Sequence, residues 1–222
     1  MSPTRSATAA AAGAPERLPW TGVDEADRLI AADPNALLIG FMLDQQVTVQ
    51  KAFTGPLVIR ERLGTLDPRK LAAMDPQRMR DAFATPPAVH RFPSAMADRV
   101  RSLCELVAGE YGGDASRLWR EAADAKELVA RLGRLPGIGP MKARTILALL
   151  TTQYGVRPPG WEKVVPDHPT LGQVSTPEEL AEYQAGKRAW KAQMRAQGLD
   201  PAKATPPPRA RKAATTQKGR TR

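Results

Sequence analysis

The chain has 222 residues, 42% of them hydrophobic, and a formal net charge of +10, enough apolar content for a real core and a balance that favours a polyanionic partner. The excess is uneven: residues 1–18 contribute a net +1 and residues 201–222 a net +7, leaving about +2 for 19–200. A single cysteine excludes a disulfide framework and a thiolate-held zinc or iron–sulfur site. With only two histidines, a catalytic zinc site is poorly supported, and no metal site is expected.

In chain order, the Ala-rich residues 1–18 read as disordered, too short and interrupted for a secretory signal. Asp24 to Ala32 then reads as a short helix. Asp33-Pro34 supplies an N-cap and a first-turn proline for a helix from Asn35 to Leu43, apolar almost all round and therefore central. Gly40 within it allows a neighbouring helix to approach closely. Asp44-Gln45-Gln46-Val47-Thr48-Val49 follows, and the two adjacent amides, costly to bury unpaired, predict a surface or cleft position. Pro56 is expected to interrupt the next helix, with Val58 to Leu63 resuming it.

Asp67-Pro68 and Asp75-Pro76 start two more short helices. The segment from Ala84 to Pro93 is a stiff proline-rich loop, and Ser94 to Tyr111 carries a helical stripe that places Cys104 in the core. Ala115 to Trp119 and Ala125 to Leu132 lead into Leu135-Pro136-Gly137-Ile138-Gly139-Pro140-Met141-Lys142, followed by an apolar helix to Leu150. A Gly- and Pro-rich connector, 151–165, precedes Pro166-Asp167-His168-Pro169. Thr176-Pro177-Glu178-Glu179 has the form of a capping box and opens a last helix to about Gln197. The fold class is all-α. Residues 201–222 read as a disordered basic tail, which either attracts nucleic acid or aids solubility. No run reaches membrane-spanning length, so a soluble, cytoplasmic, nucleoid-associated protein is expected.

The turn between two apolar helices has glycines two residues apart. Gly137 and Gly139 permit positive φ and leave backbone N–H groups open to an anion at the start of the second helix, with Lys142 adding a point charge. A plain connection between packed helices is the competing reading. Contacts of this kind would position the protein on DNA phosphates without reading sequence.

Leu-Pro-Gly-Ile-Gly, with the upstream Leu-Asp-Gln-Gln-Val-Thr-Val and downstream Pro-Asp, resembles the helix-hairpin-helix DNA glycosylase superfamily, nearest its alkylpurine branch, over roughly residues 34–171. The resemblance implies a two-lobed helical bundle spanning 19–200. It also implies a monomer on double-stranded DNA held through Gly137, Ile138, Gly139, Met141 and Lys142. Gln46 would be the wedge that keeps a flipped nucleotide out of the duplex, and Gln45 would contact DNA or the pocket. Asp167 would be the carboxylate that stabilises positive charge on the sugar, with Asp44 and Glu162 next in line. The position of the Schiff-base lysine of bifunctional members falls on Met141, which implies a monofunctional base-excision hydrolase. Four cluster-binding cysteines are lacking, so no iron–sulfur cofactor is implied; a monovalent cation on the hairpin carbonyls is allowed. His90, Phe92, Trp161 and Tyr154 are candidate pocket walls. Two other functions compete: a noncatalytic DNA-binding protein of the same fold, and a helical interaction scaffold whose hairpin is only a turn.

Overall fold

Short polar side chains begin most of the helices. In the computed structural model, which describes residues 13–201 together with 204 and 207, the Asp33 carboxylate accepts the amides of Asn35 and Ala36 at 2.8 and 3.4 Å. Asp67 accepts from Arg69 at 2.9 Å, Asp75 from Arg78 at 2.8 Å and Asp124 from Glu127 at 2.8 Å. Each cap satisfies one or two of the amides that a first turn leaves unpaired. Among the described residues these and other starts give ten α-helices and no strand. They are α1 (Asp24–Ala32), α2 (Pro34–Leu43), α3 (Val49–Leu63), α4 (Pro68–Ala72), α5 (Pro76–Ala84), α6 (Pro93–Tyr111), α7 (Arg117–Arg120), α8 (Ala125–Gly133), α9 (Pro140–Gln153) and α10 (Pro177–Ala196).

The all-α expectation therefore holds over the described residues. The disorder expected of 1–18 and 201–222 falls mostly on residues outside them. Leu18, at the edge of the Ala-rich segment, is fully buried and donates its amide to Asp27 O at 3.0 Å, so the core is already entered there. No helix among the described residues is long and apolar enough to cross a membrane.

Every residue of α2 from Ala36 to Leu43 is buried, as its all-round apolar pattern requires. Around it Trp20, Phe41 and Phe53 meet edge to face, with Trp20–Phe53 centroids 4.8 Å and Phe41–Phe53 centroids 5.1 Å apart. Gly40 makes this possible: a Cβ there would lie 2.5 Å from Phe53 Cδ1. Gly40→Ala should therefore destabilise the protein by about 1–2 kcal/mol, the overpacking cost exceeding the helix-propensity gain of alanine. Urea unfolding checks this by a lower midpoint at unchanged slope.

One expectation fails in this region. Pro56 does not break α3, which runs unbroken from Val49 to Leu63. Its ring and its neighbours Ala52, Phe53, Gly55 and Leu57 are buried, and this packing outweighs the one ladder hydrogen bond that proline cannot donate.

Helices α1 to α6 pack mainly among themselves, and α7, α8, α9 and the turn Leu171–Gln173 among themselves. A continuous core joins the two groups. The connector after α9 folds back onto it: Thr152 Oγ1 donates to Gly172 O at 2.9 Å and Gln153 Nε2 to Val174 O at 2.8 Å. Trp20 Nε1 donates to the same Val174 carbonyl at 3.1 Å, closing the N-terminal segment over both groups. Helix α10 contributes Leu180 to this core and packs Tyr183 against it.

Candidate nucleic-acid interface

The turn between α8 and α9 is held from inside by Leu132, Leu135 and Ile138, all buried. Ile138 also donates its amide to Leu135 O at 3.1 Å. It anchors the turn from beneath and presents neither side chain nor N–H outward, contrary to its expected place in a contact surface.

The two glycines differ. Gly137 has φ +76°, the left-handed region expected of it, and a Cβ there would lie 2.8 Å from Gln45 Nε2 and 3.1 Å from Met42 Cγ. Gly139 has φ −78° and ψ 175°, ordinary extended backbone, and a Cβ on it would meet nothing within 4 Å. Positive φ is thus needed only at Gly137, which makes room for α2 and its following loop. Gly139 leaves open space on the outside.

The amides of Gly137, Gly139, Met141 and Lys142 find no acceptor among the described residues, and no side chain caps α9. Pro140 at the first helical position carries no N–H to satisfy. Met141 stands beside these amides 46% exposed, a large apolar group on an otherwise polar tip.

Lys142 turns the other way. Its Nζ donates to Phe41 O at 2.8 Å and to Gly137 O at 3.2 Å, pinning the turn to the C-terminal end of α2. The last carbonyls of a helix attract a cation, which explains why the ammonium folds inward instead of reaching for an external phosphate. Burial lowers its pKa, against the opposing attraction of Asp44.

Asp44 caps the end of α2 and is half-buried. Burial raises its carboxyl pKa, opposed by the charges of Lys142, Lys187 and Lys191. The next two residues form the loop into α3. Gln45 Nε2 donates to Met42 O at 2.6 Å, and its Oε1 accepts from Arg99 Nη1 at 2.9 Å. Gln46 is exposed and, alone among the described non-glycine residues, has positive φ, +56°. A glutamine held in that region is strained by the loop around it, a feature concentrated at functional sites. Gln45 and Gln46, with Phe92, Ala95, Met96 and Arg99, line a pocket of about 250 Å³. Phe92 is 42% exposed, its ring under the Arg91 guanidinium at 4.7 Å.

Of the other expected pocket walls, none lines this pocket. His90 is 1% exposed and works beneath it: Nε2 donates to Gln45 O at 2.9 Å and Nδ1 accepts the Phe92 amide at 3.1 Å. These bonds require the neutral tautomer with its proton on Nε2. Burial, with Arg91 and Lys51 nearby, lowers its pKa. Stability from His90 is therefore present above about pH 6.5 and is lost as pH falls below that value, where the unfolded chain binds the proton first. Urea unfolding from pH 7.5 to 5.0 should show wild type losing more stability than His90→Gln over this window.

Trp161 is half-buried against the core with Arg157 5.8 Å from its ring centre, and Tyr154 is buried with its hydroxyl on Ala31 O at 3.0 Å. Cys104 is a buried thiol pushed up to about 12 by burial, as its helical stripe implies.

Asp167 is exposed in a bend, and no hydrogen bond or ion pair ties its carboxylate to another described residue. Glu162 is exposed as well. Of these three carboxylates, Asp44 is the one that burial shifts. Sequence reasoning missed Arg99, which orients Gln45 from another helix; nothing local in the sequence marks it. A larger hollow of about 440 Å³ between α6 and α8 is lined by charges already paired, Arg131 with Glu127 and Arg134 with Glu110. No group of three or more metal-ligating side chains occurs among the described residues. The chain matches no family model, no curated protein and no solved structure in comparisons with known proteins.

Proposed function

We propose that this chain is a monofunctional DNA glycosylase of the helix-hairpin-helix type, which binds duplex DNA as a monomer and hydrolyses the N-glycosidic bond of a flipped, damaged or mismatched base. The observation that carries the reading is one juxtaposition: the open amides at the α8–α9 turn and the strained Gln45–Gln46 loop are interlocked through Gly137, beside a pocket walled by Phe92. On this reading α8, the turn and α9 are the hairpin, and the two packing groups of helices are the two lobes with the loop at their junction.

Each part has a physical task. Gly139, Met141 and Lys142 offer N–H groups to backbone phosphate, sequence-independently. Gln46 occupies the gap left by the extruded nucleotide, which costs a few kcal/mol of stacking to open. Phe92 offers a ring face on which a base stacks, and a volume of about 250 Å³ suits one nucleobase. Bond cleavage leaves positive charge on the sugar, the base departs with the bonding electron pair and a proton, and water supplies the hydroxyl to the anomeric carbon. The family resemblance assigns the stabilising carboxylate to Asp167. A second assignment, Asp44, is favoured by its half-burial beside Lys142, which raises its carboxyl pKa. The Lys142 amine is committed to two carbonyls, in keeping with hydrolysis rather than Schiff-base formation.

The test is a set of duplex oligonucleotides carrying uracil, alkylated, oxidised and mismatched bases, assayed for abasic sites. At least one should be processed, without strand cleavage and without a borohydride-trapped protein–DNA adduct. Salt-sensitive binding with no base released from any of them supports the noncatalytic DNA-binding reading instead.

A further inference from the structure

Residues 187–222 contain eleven lysines and arginines against Asp200, a net +10 that equals the formal charge of the entire chain; residues 1–186 balance to zero. The helical part of this stretch is the second half of α10, with Lys187, Arg188, Lys191 and Arg195 and no acid.

Leu180, Gln184, Lys187 and Lys191 recur at intervals of four, three and four residues, which puts them on one face of the helix. Leu180 is buried, and Gln184 Nε2 donates to Gln50 Oε1 in the first turn of α3 at 3.1 Å. These two contacts set the rotation of α10 and turn Lys187 and Lys191 toward the α2–α3 junction. There both bear on Asp44, while Lys187 and Arg99 bear on Lys142.

Three cations, Lys142, Lys187 and Lys191, thus bear on one carboxylate, and Arg99 adds its charge beside Lys142. A helix face turned toward the body of a protein ordinarily carries apolar residues. Here that face begins apolar at Leu180 and becomes cationic as it reaches the loop of Gln45 and Gln46. Neither lysine makes a salt bridge among the described residues, and Lys187 Nζ lies 5.5 Å from the Tyr183 ring centre. Such a gathering of like charge is self-repulsive, and a polyanion laid between α10 and the α8–α9 turn relieves it.

We propose that the inner stripe of α10 is a second phosphate-binding edge, in which Lys187 and Lys191 hold duplex DNA backbone across from the turn. This rests on the DNA-binding part of the function proposed above and is independent of base release. The partner is double-stranded DNA of any sequence, because ammonium-to-phosphate contacts carry no base information.

The experiment uses the full chain and a fluorescein-labelled 20-bp duplex of arbitrary sequence, with anisotropy titrations between 50 and 200 mM KCl. K187Q/K191Q should flatten the slope of log K against log salt by about 1.8, two phosphate contacts at roughly 0.9 each. R188Q/R195Q removes the same charge from the flank of the helix and should flatten it by less than half as much. An unchanged slope in K187Q/K191Q, or equal flattening by the two variants, overturns the proposal while leaving wild-type DNA binding intact. A wild type with no salt-sensitive affinity overturns both this edge and the DNA-binding reading. A slope that falls as stated, in a protein that releases no base, keeps the edge and removes only the glycosylase.

Discussion

Asp44→Asn should lower base release by about 10²–10³-fold, the loss typical when one preorganised electrostatic group is taken from a transition state, while duplex affinity stays within a few-fold of wild type. The substitution keeps the shape and removes the charge, exchanging one acceptor oxygen for a donor NH2. Asp167→Asn changes a solvated carboxylate in a bend, where water already screens its field, and should leave the rate within about threefold. Single-turnover rates of abasic-site formation by both variants decide between the carboxylates. The reverse pattern returns the chemistry to Asp167. The pH profile is a second readout: with its carboxyl pKa raised by burial, the wild-type rate should begin to fall at a pH above the ordinary aspartate value of 3.8. Asp44→Asn should lack that limb.

Gly139→Asp should weaken duplex binding by about 100-fold and leave stability nearly untouched. A Cβ there meets open space and the backbone is extended, so the fold accepts a side chain. The carboxylate, however, would sit among the unpaired amides that the proposed function assigns to phosphate. Two charge-assisted hydrogen bonds are worth about 1.5–3 kcal/mol each, and repulsion adds to their loss. Gly137→Val should show the opposite signature. Its φ of +76° and the 2.8 Å approach of Gln45 Nε2 make any side chain destabilising, by about 1–3 kcal/mol. Urea unfolding and anisotropy on the same two variants separate the roles: Gly139 for binding, Gly137 for folding. Equal affinity losses on arbitrary and damaged sequences are expected from Gly139→Asp, since only backbone is touched.

Much of the architecture was legible because this chain writes its helix starts in local chemistry. Asp-Pro pairs at 33–34, 67–68 and 75–76 each became a cap and a first-turn proline, and α1 begins and ends where its pattern ends. Gly40 read correctly as a point of close approach. Local rules failed where tertiary packing decides. Pro56 is carried inside α3 by the core around it, and Gly139 adopts extended backbone although the turn motif permits more. The candidate site was less legible still. The sequence located the turn and the two glutamines, but the inward path of Lys142 to Phe41, the support of His90 under Gln45 and the reach of Arg99 from α6 join residues 45 to 101 positions apart. Such pairings are set by how helices cross, and no spacing in the chain encodes them.

The 2.8 Å approach between the position a Gly137 side chain would take and the Gln45 amide also has a mechanical consequence. Turn and loop pack so closely that no side chain fits between them. If the turn grips a duplex as proposed, a strand pressing on it would push through Gln45 to the histidine below and the arginine beside it, so that grip and alignment of the entering group would be set in a single stroke.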